Sequence, residues 1–150
     1  MPNYWLMKSE PDAFSIDDLA DMQVSPWDGV RNYQARNFMK DMQVGDLVFF
    51  YHSSCKPAGI VGVAKVVKEA YPDHTSWDPN SPYYDAKSTP QNPRWFMVDL
   101  AFVEKWPRLV TLAELKADAL LAELPLVKKG SRLSIMPINK AHWEHIIKTY

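Results

Sequence analysis

The chain has 150 residues, a formal net charge of −1, 47% hydrophobic residues and 23% charged residues. That size suits one domain spanning 1–150 with a core of its own, and the composition excludes a disordered chain. The near-neutral charge does not point to a protein that grips duplex backbone by bulk positive charge, so any nucleic-acid binding must rest on pocket contacts and a local basic rim.

The single cysteine, Cys55, excludes an intrachain disulfide and a cysteine-based zinc cage. The opening MPNYWLMKSEP has no basic run leading into an apolar stretch, so no signal peptide is expected. Apolar runs fall short of the ~20 residues of a membrane span. The expectation is a monomer in the cytoplasm, with no membrane, metal or cofactor. Twelve prolines stand against five glycines. Pro72, Pro79, Pro82, Pro90 and Pro93 mark a long stiff connection that also carries Tyr71, Trp77, Tyr83 and Tyr84.

In chain order, Tyr4–Lys8 alternates and predicts a strand. Ser15 caps a short helix, with Asp18 closing a capping box, and the helix ends before Pro26. Asn32 caps a second helix running to Met42, with Tyr33, Phe38, Met39 and Met42 at helical spacing. Leu47–His52 and Ala58–Val67 predict a hairpin across Ser53–Pro57, with Gly59 and Gly62 marking a close approach or bulge. Arg94–Lys105 predicts the longest strand, and Thr111 with Glu114 opens a third helix by a capping box. Asp118–Leu124 adds a helical turn, Ser131–Ile135 a short closing strand, and Lys140–Lys148 a last helix with Trp143, Ile146 and Ile147 inside. The order is α+β: a small mixed β-barrel with flanking helices.

Catalytic motifs are missing: the chain has no GxSxG, P-loop or GxGxxG. His52, Ser53 and Cys55 are close in sequence, but neighbouring strand residues point to opposite faces. His142 and His145 share a helical face without further metal ligands nearby in sequence. Glu10 and Asp12 read as turn and helix-dipole residues rather than a glycosidase pair.

The aromatic residues are more informative. Trp5, Phe49, Phe50, Trp95, Phe96 and Phe102 lie in strand patterns and are expected in the core. Trp27 lies in turn chemistry between Pro26 and Asp28-Gly29, where it reads either as a plug under the barrel or as a flat wall for stacking a base. Asn32 can read a donor and an acceptor together. Tyr83-Tyr84-Asp85 can supply an opposite wall and an acceptor, or simply pin the loop with buried tyrosines. Lys8, Arg31, Arg36, Lys87 and Arg94 are positive residues near these elements, and Lys128-Lys129-Gly130-Ser131-Arg132 is the compact basic run.

Together the segments YWLMKSEPDAFSIDDL (4–19), WDGVRNYQARNFM (27–39), GDLVFFYHS (45–53), GIVGVAKVVKEAYPD (59–73), DPNSPYYDAKS (78–88), PRWFMVDLAFV (93–103) and KKGSRLSIMPI (128–138) resemble the EVE domain family, relatives of PUA and YTH domains. They cover almost the whole chain. The resemblance implies a PUA-like fold and a cavity for a modified base of DNA or RNA. By analogy with the YTH cage, Trp27 takes the place of the first cage tryptophan. Lys8, Ser9 and Glu10 match the segment before it, and Ser53 the polar strand end facing the base. Asn32, Tyr84 and Asp85 complete the expected pocket, and Arg31, Lys128, Lys129 and Arg132 the expected phosphate rim. Ala86, Met136 and Trp77 depart from the residues common at their places; Trp77 can reshape the pocket mouth. The expected function is non-catalytic capture of a base, with two rivals. One is an enzyme on modified nucleosides using Glu10, Asp85 or His52. The other is a protein-interaction module anchored by Trp27.

Overall fold

The computed structural model describes residues 3–128 and 133–150. Its centre is a six-stranded mixed sheet in the order β2-β5-β4-β3-β1-β6. β1 (Tyr4–Ser9) lies between β3 (Leu47–His52), its parallel neighbour, and β6 (Ile135–Ile138), its antiparallel one. β3 pairs antiparallel with β4 (Gly59–Pro72), β4 with β5 (Phe96–Thr111), and β5 with the short β2 (Val24–Pro26). The fold is α+β and PUA-like as expected, but the ladder stays open at β2 and β6 and does not close into a barrel.

The central strands are buried on both faces, so they read as apolar runs rather than as alternation. Trp5, Met7, Val48 and Phe50 point to one core, together with α1 (Ile16–Met22) and α2 (Tyr33–Asp41). Leu6, Phe49 and Tyr51 point to the other, with α3 (Leu112–Ala117) and α4 (Lys140–Thr149). Capping follows the side chains foreseen: Ser15–Asp18 and Thr111–Glu114 form capping boxes, and Asn32 caps α2.

β4 and β5 run further than expected, to Pro72 and Thr111. β5 continues through Pro107 because its register against β4 jumps from Lys105 opposite Gly62 to Val110 opposite Ile60. The proline, which has no N–H to give the ladder, falls in that irregular stretch. Gly59 and Gly62 mark the close approach expected: a Cβ there would lie 2.1 Å from the Val110 carbonyl oxygen and 2.3 Å from that of Glu104. The closing strand begins at Ile135, later than expected, and Ile147 is exposed on α4 while Trp143 and Ile146 are buried. Phe96 and Phe102 are half-buried, whereas Trp5, Phe49, Phe50 and Trp95 are buried. No helix among the described residues is long and apolar enough to cross a membrane.

Candidate nucleic-acid interface

At the C-terminal end of β1, the turn after that strand and the loop between β2 and α2 enclose a cavity of about 580 Å³. Its walls include Lys8, Ser9, Glu10, Phe14, Trp27, Asp28, Arg31 and Tyr83. That volume lies within the range of small-ligand sites.

Trp27 is both plug and wall. It is 8% exposed and belongs to the first core, yet it also lines the cavity. Its backbone N–H donates to the Val98 carbonyl at 2.7 Å, and its ring meets Phe50 edge-on at 5.4 Å and Phe14 edge-on at 6.2 Å. The indole is therefore fixed before any ligand arrives, as a stacking surface requires.

The loop that follows is tied down by Asp73, whose side chain is fully buried. Its Oδ2 accepts from Gly29 N–H at 2.9 Å and Arg31 Nη1 at 3.1 Å, and its Oδ1 from Thr75 N–H at 2.9 Å. Burial opposes the charge on Asp73, but hydrogen bonds from the Thr75 hydroxyl, the Gly29 N–H and Arg31 outweigh it and hold its pKa below the usual carboxylate value. Arg31 also donates from Nε and Nη2 to the Tyr83 carbonyl at 2.9 and 2.6 Å. The Pro-rich loop is thereby drawn over the cavity. Gly29 has φ +78°, and a Cβ there would come within 2.7 Å of the Tyr83 ring. Glycine is needed at this point for the backbone and for the ring above it.

Two charged groups on the cavity wall are shifted by their surroundings. Burial lowers the pKa of Lys8, which has no carboxylate within ion-pair distance among the described residues and lies 5.7 Å from the Tyr51 ring. Burial raises the pKa of Asp28, and the negative charge of Asp73 raises it further. Lys8 is half-buried and Asp28 exposed, so a polar ligand entering the cavity can reach both charges.

Six of the residues singled out from the sequence come together here: Lys8, Ser9, Glu10, Trp27, Arg31 and Tyr83. Ser9 donates its hydroxyl to the Phe14 carbonyl at 2.6 Å, which shapes the turn. Arg31, expected on a phosphate rim, spends its donors on Asp73, Val30 and Tyr83. Four others lie off the cavity wall. Asn32 has its side-chain oxygen on Ala35 N–H at 2.9 Å as the cap of α2. Ser53 follows β3, with its N–H on the Ser9 carbonyl at 2.9 Å. Tyr84 is exposed. Asp85 accepts from Trp95 Nε1 at 2.7 Å and Lys87 N–H at 3.0 Å. Lys128 pairs with Glu123 at 3.1 Å, while Lys129 and Arg132 lie outside the described residues.

His52 is occupied structurally. Its Nε2 accepts from Ile16 N–H at 3.1 Å, and burial lowers its pKa. His145 bonds Asp118 at 2.7 Å. Among the wall residues missed from the sequence are Asp28 and Phe14, whereas Tyr83 was foreseen with Tyr84 as an opposite wall. Asp28 adjoins Trp27 and was visible as a neighbour. Tyr83 was visible only as one of two adjacent tyrosines, and its contact with Gly29 across the fold decides which of them lines the cavity.

A fixed indole beside the half-buried Lys8 and the exposed Asp28, at the end of a PUA-like sheet, forms a cavity suited to a small, flat, polar ligand. The model of the EVE domain matches residues 3–149, and the chain belongs to that family. Thymocyte nuclear protein 1 of Homo sapiens is 44% identical over 166 residues, covering 98% of this chain and 73% of that protein. The crystal structure of the human THYN1 protein in complex with 5-methylcytosine-containing DNA is similar with a TM-score of 0.92 at 44% identity, covering 97% of this chain and 96% of that one. A crystal structure from Pseudomonas putida is similar with a TM-score of 0.94 at 55% identity, covering 97% of both chains.

Proposed function

We propose that the chain captures a modified cytosine of DNA, extruded from its stack, in the cavity walled by Trp27, and releases it unchanged. The observation that carries the reading is the position of Trp27, held edge-on by Phe14 and Phe50 on the wall of a cavity of about 580 Å³. The relationship to a human protein solved with 5-methylcytosine DNA supports the choice of base.

The base stacks on the indole, an interaction worth ~1–3 kcal/mol. The Asp28 carboxyl accepts from the exocyclic amino group of cytosine, an edge that thymine lacks. The Lys8 ammonium binds an oxygen of the pyrimidine or its phosphate. Extrusion costs a few kcal/mol, so mismatched or single-stranded sites bind better than paired ones. Two of the three side chains weighed as acid or base, His52 and Asp85, already serve structural hydrogen bonds, which supports binding without turnover.

The test is a titration of DNA oligonucleotides carrying cytosine, 5-methylcytosine or thymine at one position, with RNA twins. Mass spectrometry of the recovered strands accompanies it. Preferential binding of the methylated DNA with no change in strand mass is expected. Equal affinity for all three bases, or a converted strand, overturns the reading.

A further inference from the structure

Next to the cavity, outside its walls, α2 and the residues leading into β5 carry a second group of aromatic and cationic side chains. Tyr33 is 48% exposed and stacks on the buried Trp95, with ring centroids 4.9 Å apart and planes at 26°. Arg36 lies 4.8 Å from the Tyr33 ring centroid and donates from Nη1 to the Arg94 carbonyl at 3.0 Å. Arg94 lies 5.8 Å from the same ring and donates to the Tyr33 hydroxyl. One helical turn beyond Arg36, Lys40 places its ammonium 4.9 Å from the Phe96 ring.

The group is continuous with the cavity. Arg31, which lines the cavity, lies 5.5 Å from the Trp95 ring on which Tyr33 stacks. The charges are only partly compensated. Among the described residues Arg36 has no carboxylate within ion-pair distance, and Arg94 reaches Asp85 at 3.8 Å. That carboxylate is already shared by Trp95 and Lys87. In a chain of net charge −1 this is a local excess of positive charge, held in place by ring contacts and backbone bonds. Fixed guanidiniums suit phosphate oxygens, whose geometry they match.

We infer that Tyr33, Arg36 and Arg94 form the seat for the sugar-phosphate strand next to the captured base. This rests on the base-capture reading and extends it from the base to its flanks. The cavity reads the base, and the α2 surface supplies sequence-independent hold.

The test compares wild type, the double variant Arg36→Gln/Arg94→Gln and the conservative Arg36→Lys. Each is titrated across a salt series with a DNA oligonucleotide containing one 5-methylcytosine and with its unmodified twin, and thermal melts report folding. The double variant is expected to weaken binding of both twins by the same factor, leaving their affinity ratio unchanged. The slope of log affinity against log salt is expected to fall by about 1 for each phosphate contact removed. Arg36→Lys keeps most of the slope, which a merely structural role would not require. If the double variant folds and its affinity and slope equal wild type, while discrimination between the twins persists, the surface proposal is overturned and base capture stands. If the twins bind alike in wild type but the double variant still loses affinity and slope, base capture fails and the phosphate seat stands.

Discussion

The buried carboxylate of Asp73 holds the backbone N–H of Gly29 at 2.9 Å, across 44 positions of sequence. The same oxygen takes Arg31, so one side chain fixes the turn after Trp27 and, through Arg31, the Tyr83 carbonyl above it. Replacing Asp73 by Ala leaves Arg31 without its counterion and two backbone donors unpaired, a loss of about 3 kcal/mol. The pKa of Asp73 is lowered on folding, so its contribution is complete above the unfolded carboxylate value of about 3.9 and is lost as pH falls through the lower folded value. Denaturant melts of wild type and Asp73→Ala are expected to differ most near neutrality and to converge in acid. A gap that widens in acid contradicts this.

Asp28 has the opposite sign. Its folded pKa is raised by burial and by Asp73, so above that value the folded state bears an unfavourable charge. The variant Asp28→Asn is expected to melt at or above the wild-type temperature at neutral pH while losing preference for cytosine-type over thymine-type bases. A lower melting temperature would mean that Asp28 stabilises the fold rather than the complex.

His52 couples pH to the first helix. Its Nε2 can accept from Ile16 N–H only while the ring is neutral, and burial lowers its pKa, with Lys105 lowering it and Asp17 raising it. Stability from this group is full above the unfolded histidine value of about 6.5 and declines as pH falls through the folded one. The variant His52→Ala should cost about 1 kcal/mol at pH 8 and flatten the stability slope below pH 6.5. An unchanged slope would remove His52 from this role.

The elements were legible where the signal was local. Ser15, Asn32 and Thr111 cap the helices their spacing announced, because a cap is satisfied within three residues. The ends of β4 and β5 were not legible: Pro107 reads as a stop, and only the bulged register against β4 lets the strand pass it. In the site, Trp27 stood out because turn chemistry surrounds an aromatic residue. Asn32 also stood out, but its one carbonyl oxygen is spent on the cap. The preference of Gly29 for Tyr83 over Tyr84, and the role of Asp73 beneath them, arise from contacts more than forty residues apart. Local patterning carries no trace of such pairings.

The central claim is that the indole of Trp27 receives the base. Trp27 also packs in the core, so the informative variants are Trp27→Phe, which keeps a flat ring, and Trp27→Leu, which fills space without one. The measurement is the affinity ratio between a 5-methylcytosine oligonucleotide and its unmodified twin, for wild type and for both variants after melts show them folded. The account predicts a ratio largely kept in Trp27→Phe and collapsed toward unity in Trp27→Leu. A folded Trp27→Leu that discriminates as well as wild type would contradict it.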